Sequence, residues 1–195
     1  MVFNKKAAPH SKPEFMNWYN EQTKWTEKHS YDDPAITTRE LSDWFMEMKD
    51  TFPPLNGPFS NDENIDGDNV TDYSIGKNII YVAFAWLVAE EAYKKVLSLA
   101  LKHGVGFFDV SSDDGEIFFP NQEGNLRSIN NVEINKNTAI NTSHVTFIKE
   151  KIQETLSKMF QEKKIEVKTA NTPRSKKTFF QKFWDYINPL NYRPR

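Results

Sequence analysis

Apolar and polar positions alternate along this chain with two different periods, and the changes of period mark its elements. Behind Ser11-Lys12-Pro13-Glu14, a hydroxyl cap with proline in the first turn and glutamate at capping-box spacing, Phe15, Trp18, Tyr19, Gln22 and Trp25 recur at helical intervals. A second box, Thr37-Thr38-Arg39-Glu40, opens a helix whose stripe is Leu41, Trp44, Phe45, Met48 and Phe52, stopped by Pro53-Pro54. The run Ile79-Ile80-Tyr81-Val82-Ala83-Phe84 is almost continuously apolar and predicts a strand buried on both faces.

From about Leu87 to His103 the helical period returns, with Val88, Ala89, Ala92, Tyr93, Val96, Leu97 and Ala100 inward. Glu90, Glu91, Lys94, Lys95 and Lys102 take its wet face, and Gly104 is the expected left-handed stop. Val105–Val110 and Glu116–Phe119 read as strands joined through Asp114-Gly115. Tyr73–Lys77 supplies a further strand before a turn, and Met1-Val2-Phe3 is short strand material, at an edge or in the centre.

A strand, a helix and a strand with tight connections predict a right-handed crossover, placing residues 79–86 and 105–110 parallel in one sheet. The expected fold is therefore α+β: a small mixed sheet with helices packed on it, a ferredoxin-like sandwich, followed by a C-terminal helix and tail. The expected organisation is a core over residues 1–120, an Asn-rich linker or loop with room for a short irregular hairpin over 121–142, a helix over 143–167, and a basic aromatic tail over 168–195.

Charge changes this picture more than composition does. The 195 residues carry a net charge of −2, are 38% hydrophobic and 14% aromatic, and contain no cysteine. Disulfides and thiolate chemistry are thereby excluded, and a reducing compartment fits. The N-terminal segment has no secretory apolar region and the longest apolar run, Ile79–Ala89, is too short for a bilayer, so a cytoplasmic protein is expected. Residues 1–144 hold 13 Lys and Arg against 22 Asp and Glu, net −9, whereas residues 145–195 hold 12 against 5, net +7. Two surfaces for different partners would divide in this way, as would a basic tail that folds back on an acidic body or one that only serves solubility.

Candidate chemistry is thin. Asp62-Glu63-Asn64-Ile65-Asp66-Gly67-Asp68 opens like a calcium loop, but Asn69 and Tyr73 stand where an aliphatic residue and a bidentate glutamate are needed. A solvated acidic loop is the better reading, so no metal or cofactor is expected. His10, His29, His103 and His144 lack metal-motif spacing, and His29 with Asp32 and Asp33 is the nearest approach to an acid–base group. Ser111-Ser112 sits between strands rather than between strand and helix, so it is no nucleophile elbow. Gly104-Val105-Gly106 follows a helix C-terminus, where the dipole repels phosphate. No catalytic residue is assigned, and no enzyme is expected.

Two surfaces remain. One is acidic: Asp62, Glu63, Asp66, Asp68 and Asp72, with Asp113, Asp114 and Glu116, suited to steering a basic partner. The other is the tail, where Phe179, Phe180, Phe183 and Trp184 fall with Ile187 on one helical face flanked by lysines. Such a segment suits an anionic membrane, a partner's groove or this protein's own core. Nucleic acid is not an expected partner, because the basic residues are few and no recognition module surrounds them.

Tyr73-Ser74-Ile75-Gly76, Ile80–Trp86, Ala89–Tyr93 and Lys102–Asp109 resemble a set of small, mostly uncharacterised bacterial cytosolic proteins. In these a strand, a helix ending in a basic residue, His and Gly, and a strand ending near Asp-x-x-x-x-Gly recur. Trp18–Pro34 and Leu41–Pro58 look similar to their N-terminal helices, so the resemblance covers about residues 1–120. Its members look like proteins encoded near polymorphic or contact-dependent toxins. The resemblance implies an immunity protein that neutralises a cognate toxin; the alternative is a peripheral membrane or scaffold protein held by the tail.

Overall fold

The computed structural model describes residues 1–60, 67–112, 115–130 and 133–134. Their order is β1 (Val2–Phe3), α1 (Lys12–Gln22), α2 (Arg39–Met48), β2 (Asp72–Ile75), β3 (Ile79–Ala83), α3 (Ala89–His103), β4 (Gly106–Asp109), β5 (Glu116–Pro120), β6 (Leu126–Ser128) and β7 (Glu133–Ile134). Short 3₁₀ turns occupy Pro34–Ile36 and Trp86–Val88. The fold is α+β. Its strands form one seven-stranded sheet in the order β2-β3-β1-β4-β5-β6-β7, antiparallel at every pairing.

The sheet is larger than the sequence suggests, and it is not mixed. β3 and β4 do run in the same direction, as the strand–helix–strand reading requires, but β1 lies between them and is antiparallel to both. Two residues at the start of the chain thus convert a parallel pair into a split one: Val2 faces Ile80 on one side and Phe107 on the other. Of the ferredoxin-like plan the described residues contain this single split unit, β3–α3–β4, and then a meander. The Asn-rich stretch after Pro120 contributes β6 and β7, and Leu126 and Ile134 join the core. The C-terminal helix and tail lie outside the described residues.

Both faces of β3, β4 and β5 are covered, which explains why these strands read as nearly unbroken apolar runs. On one face Val2, Tyr73, Ile75, Ile80, Phe107 and Phe118 pack with α2 and α3. On the other, Phe3, Phe108 and Phe119 meet Phe15 of α1 with ring centroids 5.0, 5.3 and 6.3 Å apart, all edge to face. Such pairs contribute about 0.5–1.5 kcal/mol each beyond their buried area. The layers are therefore α1, sheet, and α2 with α3. Gly106 makes the α1 layer possible: a Cβ there would lie 2.2 Å from the Phe3 ring across the strand pair.

The helices follow their stripes with local departures. In α2, Leu41, Trp44, Phe45 and Met48 are completely buried, as is Phe52 just beyond it. Its cap is Thr38 and not Thr37, whose hydroxyl donates instead to the Lys77 carbonyl (3.1 Å) and ties the helix start to the β2–β3 turn. The Ser11 hydroxyl donates to the Glu14 carboxylate (2.6 Å) but caps no backbone N–H of α1. Trp25, expected in that helix, lies beyond its end with φ 51°, buried against Tyr31. α3 begins two residues later than expected, after the 3₁₀ turn, and stops at Gly104 in the left-handed region (φ 66°).

The outer edge of β2 is closed by loops. Ile75 N–H donates to the Tyr31 carbonyl (2.8 Å) and Thr71 N–H to the Pro53 carbonyl (2.9 Å), with a bridge between Pro54 and Thr71. An open edge is a template for pairing with another chain, and these contacts occupy the outward N–H groups of Ile75 and Thr71.

Candidate functional site

Strand register decides where the acidic segments go. Asp72 pairs with Ala83 at the start of β2, and Asp109 with Glu116 at the mouth of the β4–β5 hairpin. Because β3 and β4 run the same way, both pairs lie at the same end of the sheet. β2 and β5 are four strand spacings apart, about 19 Å. The connection from β3 into α3 opens at this end too, bringing Glu90 and Glu91 of the first turn of α3. Asp68 is exposed in the loop leading to β2. Two acidic segments far apart in sequence thus share one end of the sheet. Of the predicted site residues, Asp68, Asp72 and Glu116 are here; Asp62, Glu63, Asp66, Asp113 and Asp114 lie outside the described residues, as do Phe179, Phe180, Phe183 and Trp184.

Leu87, which sequence periodicity places at the start of α3, is the most exposed large apolar side chain described, at 80%. It occupies the 3₁₀ turn at the acidic end, with Glu90 and Glu91 following it. The sequence signal was an apolar triplet, Trp86-Leu87-Val88, between a finished strand and a run of acids. The sequence reading divides this triplet, with Trp86 ending the strand and Leu87 starting the helix.

A buried polar group adjoins this end. The Met1 α-amine donates to the Phe108 carbonyl (3.1 Å), and Met1 in turn accepts from Phe108 N–H (2.9 Å). Burial lowers its pKa to about 5 from an ordinary 8.0, and the charge of Asp109 opposes that only in part. The Asp109 carboxylate accepts the N–H (3.0 Å) and hydroxyl (2.6 Å) of Ser111. The Ser112 hydroxyl donates to the Asp109 carbonyl (3.1 Å) and accepts Glu116 N–H (3.0 Å). Both serines therefore shape the hairpin, as expected. The Tyr93 hydroxyl is buried with no hydrogen-bond partner, and burial first, then the charges of Asp109 and Glu116, push its pKa far up.

The other candidates acquire structural partners. His10 stacks on Phe119 (centroids 4.3 Å apart). His103 lies 3.0 Å from the Glu47 carboxylate, off the direction of a hydrogen bond, while Lys102 donates to both oxygens of the same group (2.7 and 2.8 Å). The hydrogen bond from Lys102 holds the Glu47 carboxyl below its usual range. Asp33 accepts Ala35 N–H (2.8 Å) as a cap, and His29 pairs with Glu27, so the combination of His29 with Asp32 and Asp33 is not assembled. His144 lies outside the described residues. In the tested calcium loop, Asn69 donates to the Thr51 carbonyl (3.3 Å) and the buried Tyr73 hydroxyl to the Phe52 carbonyl (2.8 Å), so neither faces an ion. Among the described residues no three His, Asp or Glu side chains converge as a metal cluster would, and no helix is long and apolar enough to cross a membrane. No family model, curated protein or solved structure matches this chain.

Proposed function

We propose that the chain is a protein-binding module, acting without catalysis, whose acidic sheet end receives a basic partner. The observation that carries this reading is the convergence at one end of Asp68, Asp72, Glu90, Glu91 and Glu116 with the exposed Leu87. A field of one sign raises the rate of encounter with an oppositely charged surface, and an exposed apolar side chain within it offers an anchor once water is expelled. Glu90 is paired with Lys94 (2.8 Å), a surface contact that a partner's cations can replace at little cost.

The resemblance of residues 73–119 to small bacterial cytosolic proteins that look like those encoded near toxins supports a narrower version: an immunity protein acting in the bacterial cytoplasm on a toxin with a basic surface, such as a nuclease's substrate cleft. Co-expression with a toxin domain, where the neighbouring genes encode one, tests this. The chain is expected to restore growth and to co-purify one to one, and the double variant Leu87→Asp, Glu91→Lys to lose both effects while remaining folded. Growth arrest in the presence of the folded wild-type chain would contradict the narrower version.

A further inference from the structure

His29 sits between two acceptors. Its Nδ1 is 2.8 Å from the Ser30 carbonyl oxygen, and its Nε2 contacts the Glu27 carboxylate. A neutral imidazole carries one N–H and can satisfy only one of them; the imidazolium donates to both. The same Glu27 carboxylate accepts Lys77 N–H with its two oxygens at 3.1 and 3.4 Å, and the Tyr31 hydroxyl donates to the Glu27 carbonyl (3.0 Å). Tyr31 in turn holds the edge of β2 through Ile75 N–H. The ring of Tyr31 lies between those of His29 (4.7 Å) and Trp25 (5.0 Å).

We propose that His29 and Glu27 form a pH-operated latch that holds residues 25–33 over the outer edge of β2, closed while the imidazole is protonated and loosened when it is not. The groups against the ring are few. From its own segment they are the Glu27 carboxylate, the Ser30 carbonyl and the Tyr31 ring, and the β2–β3 turn contributes the Lys77 backbone N–H through Glu27. Asp33 is engaged with Ala35 N–H. Desolvation of the ring lowers its pKa, but the Ser30 carbonyl and the Glu27 carboxylate outweigh it, and the net direction is upward from 6.5. A folded-state value above the unfolded one gives stabilisation that is complete below about 6.5 and lost as pH rises through the folded value. Loosening uncovers the N–H of Ile75, the group that an added strand would engage.

The full chain can be followed by NMR across about pH 5.5 to 8.5, a range that brackets histidine titration. The His29 ring is expected to titrate above its ordinary value. Amide-exchange protection at Ile75 and Lys77 is expected to fall with the same midpoint, by about tenfold for each unit of upward shift. Ile129, whose N–H donates to the Ile117 carbonyl (2.9 Å) elsewhere in the sheet, should keep its protection. Glu27→Gln keeps an acceptor but removes the charge; it should lower the His29 titration and flatten the pH dependence at Ile75. Titration of His29 at or below its ordinary value, parallel changes at Ile75 and Ile129, or an unchanged profile in Glu27→Gln would each overturn the latch.

Discussion

At the scale of single residues, the tightest constraint is Gly106. Replacing it with alanine drives a methyl into the Phe3 ring at 2.2 Å, and because Phe3 is pinned by Phe15 and Phe119 the ring has little room to yield. Gly106→Ala should lower stability by about 1–3 kcal/mol or more, read from the urea midpoint. Tyr93→Phe should behave oppositely: it removes a buried hydroxyl without a partner, so the midpoint should hold or rise. The Met1 amine makes a pH prediction. Its pKa is lowered to about 5, so between there and 8.0 the unfolded chain binds more protons than the folded one, and stability rises with pH. The full effect is on the order of 4 kcal/mol at most. Since His29 acts with the opposite sign in part of this window, the measurement belongs in a His29→Gln background, where acidification from pH 8 to 5 should lower the urea midpoint steadily. Gly104 and Gly115, both in the left-handed region, are legible from sequence because a helix stop and a turn are local events. Gly106 and the Met1 amine are not, because their roles depend on β1, which is placed by pairing across more than a hundred residues.

Among the elements, α2 was the most legible. Five large side chains at helical spacing before two prolines specify both a helix and its buried face, and all five are fully buried. Trp44→Ala in the middle of that face should cost about 3–5 kcal/mol, measured by chemical denaturation. The strands were legible as strands, but their neighbours were not. Apolar residues on both faces of β3, β4 and β5 report that two layers cover the sheet without saying which strand lies beside which. That ambiguity is why a parallel pair was expected where β1 intervenes. The 3₁₀ turn at Trp86–Val88 is illegible for a related reason: it straddles the point where the apolar run of β3 passes into that of α3, so the sequence reading divides it between the two. Its exposure of Leu87 emerges only from tertiary structure.

At the scale of the whole described fold, acids from separate segments of the sequence are gathered at one end of the sheet. Asp68, Asp72, Glu90, Glu91 and Glu116 gather at one end of the sheet, whereas at the other end Lys6 and Lys102 are paired with Glu40 and Glu47, and the Glu27 carboxylate accepts Lys77 N–H. The acids were visible in the sequence as separate clusters; their union required the register of β2 with β3 and of β4 with β5. The most direct test of this arrangement as a docking surface is the association rate between the purified chain and the basic protein partner proposed for it, followed by stopped flow over a series of salt concentrations. A rate that falls steeply with salt in the wild type, and falls by roughly tenfold or more at low salt when Glu90 and Glu91 are both replaced by lysine, is the predicted result. Binding that is insensitive both to salt and to that reversal would contradict it.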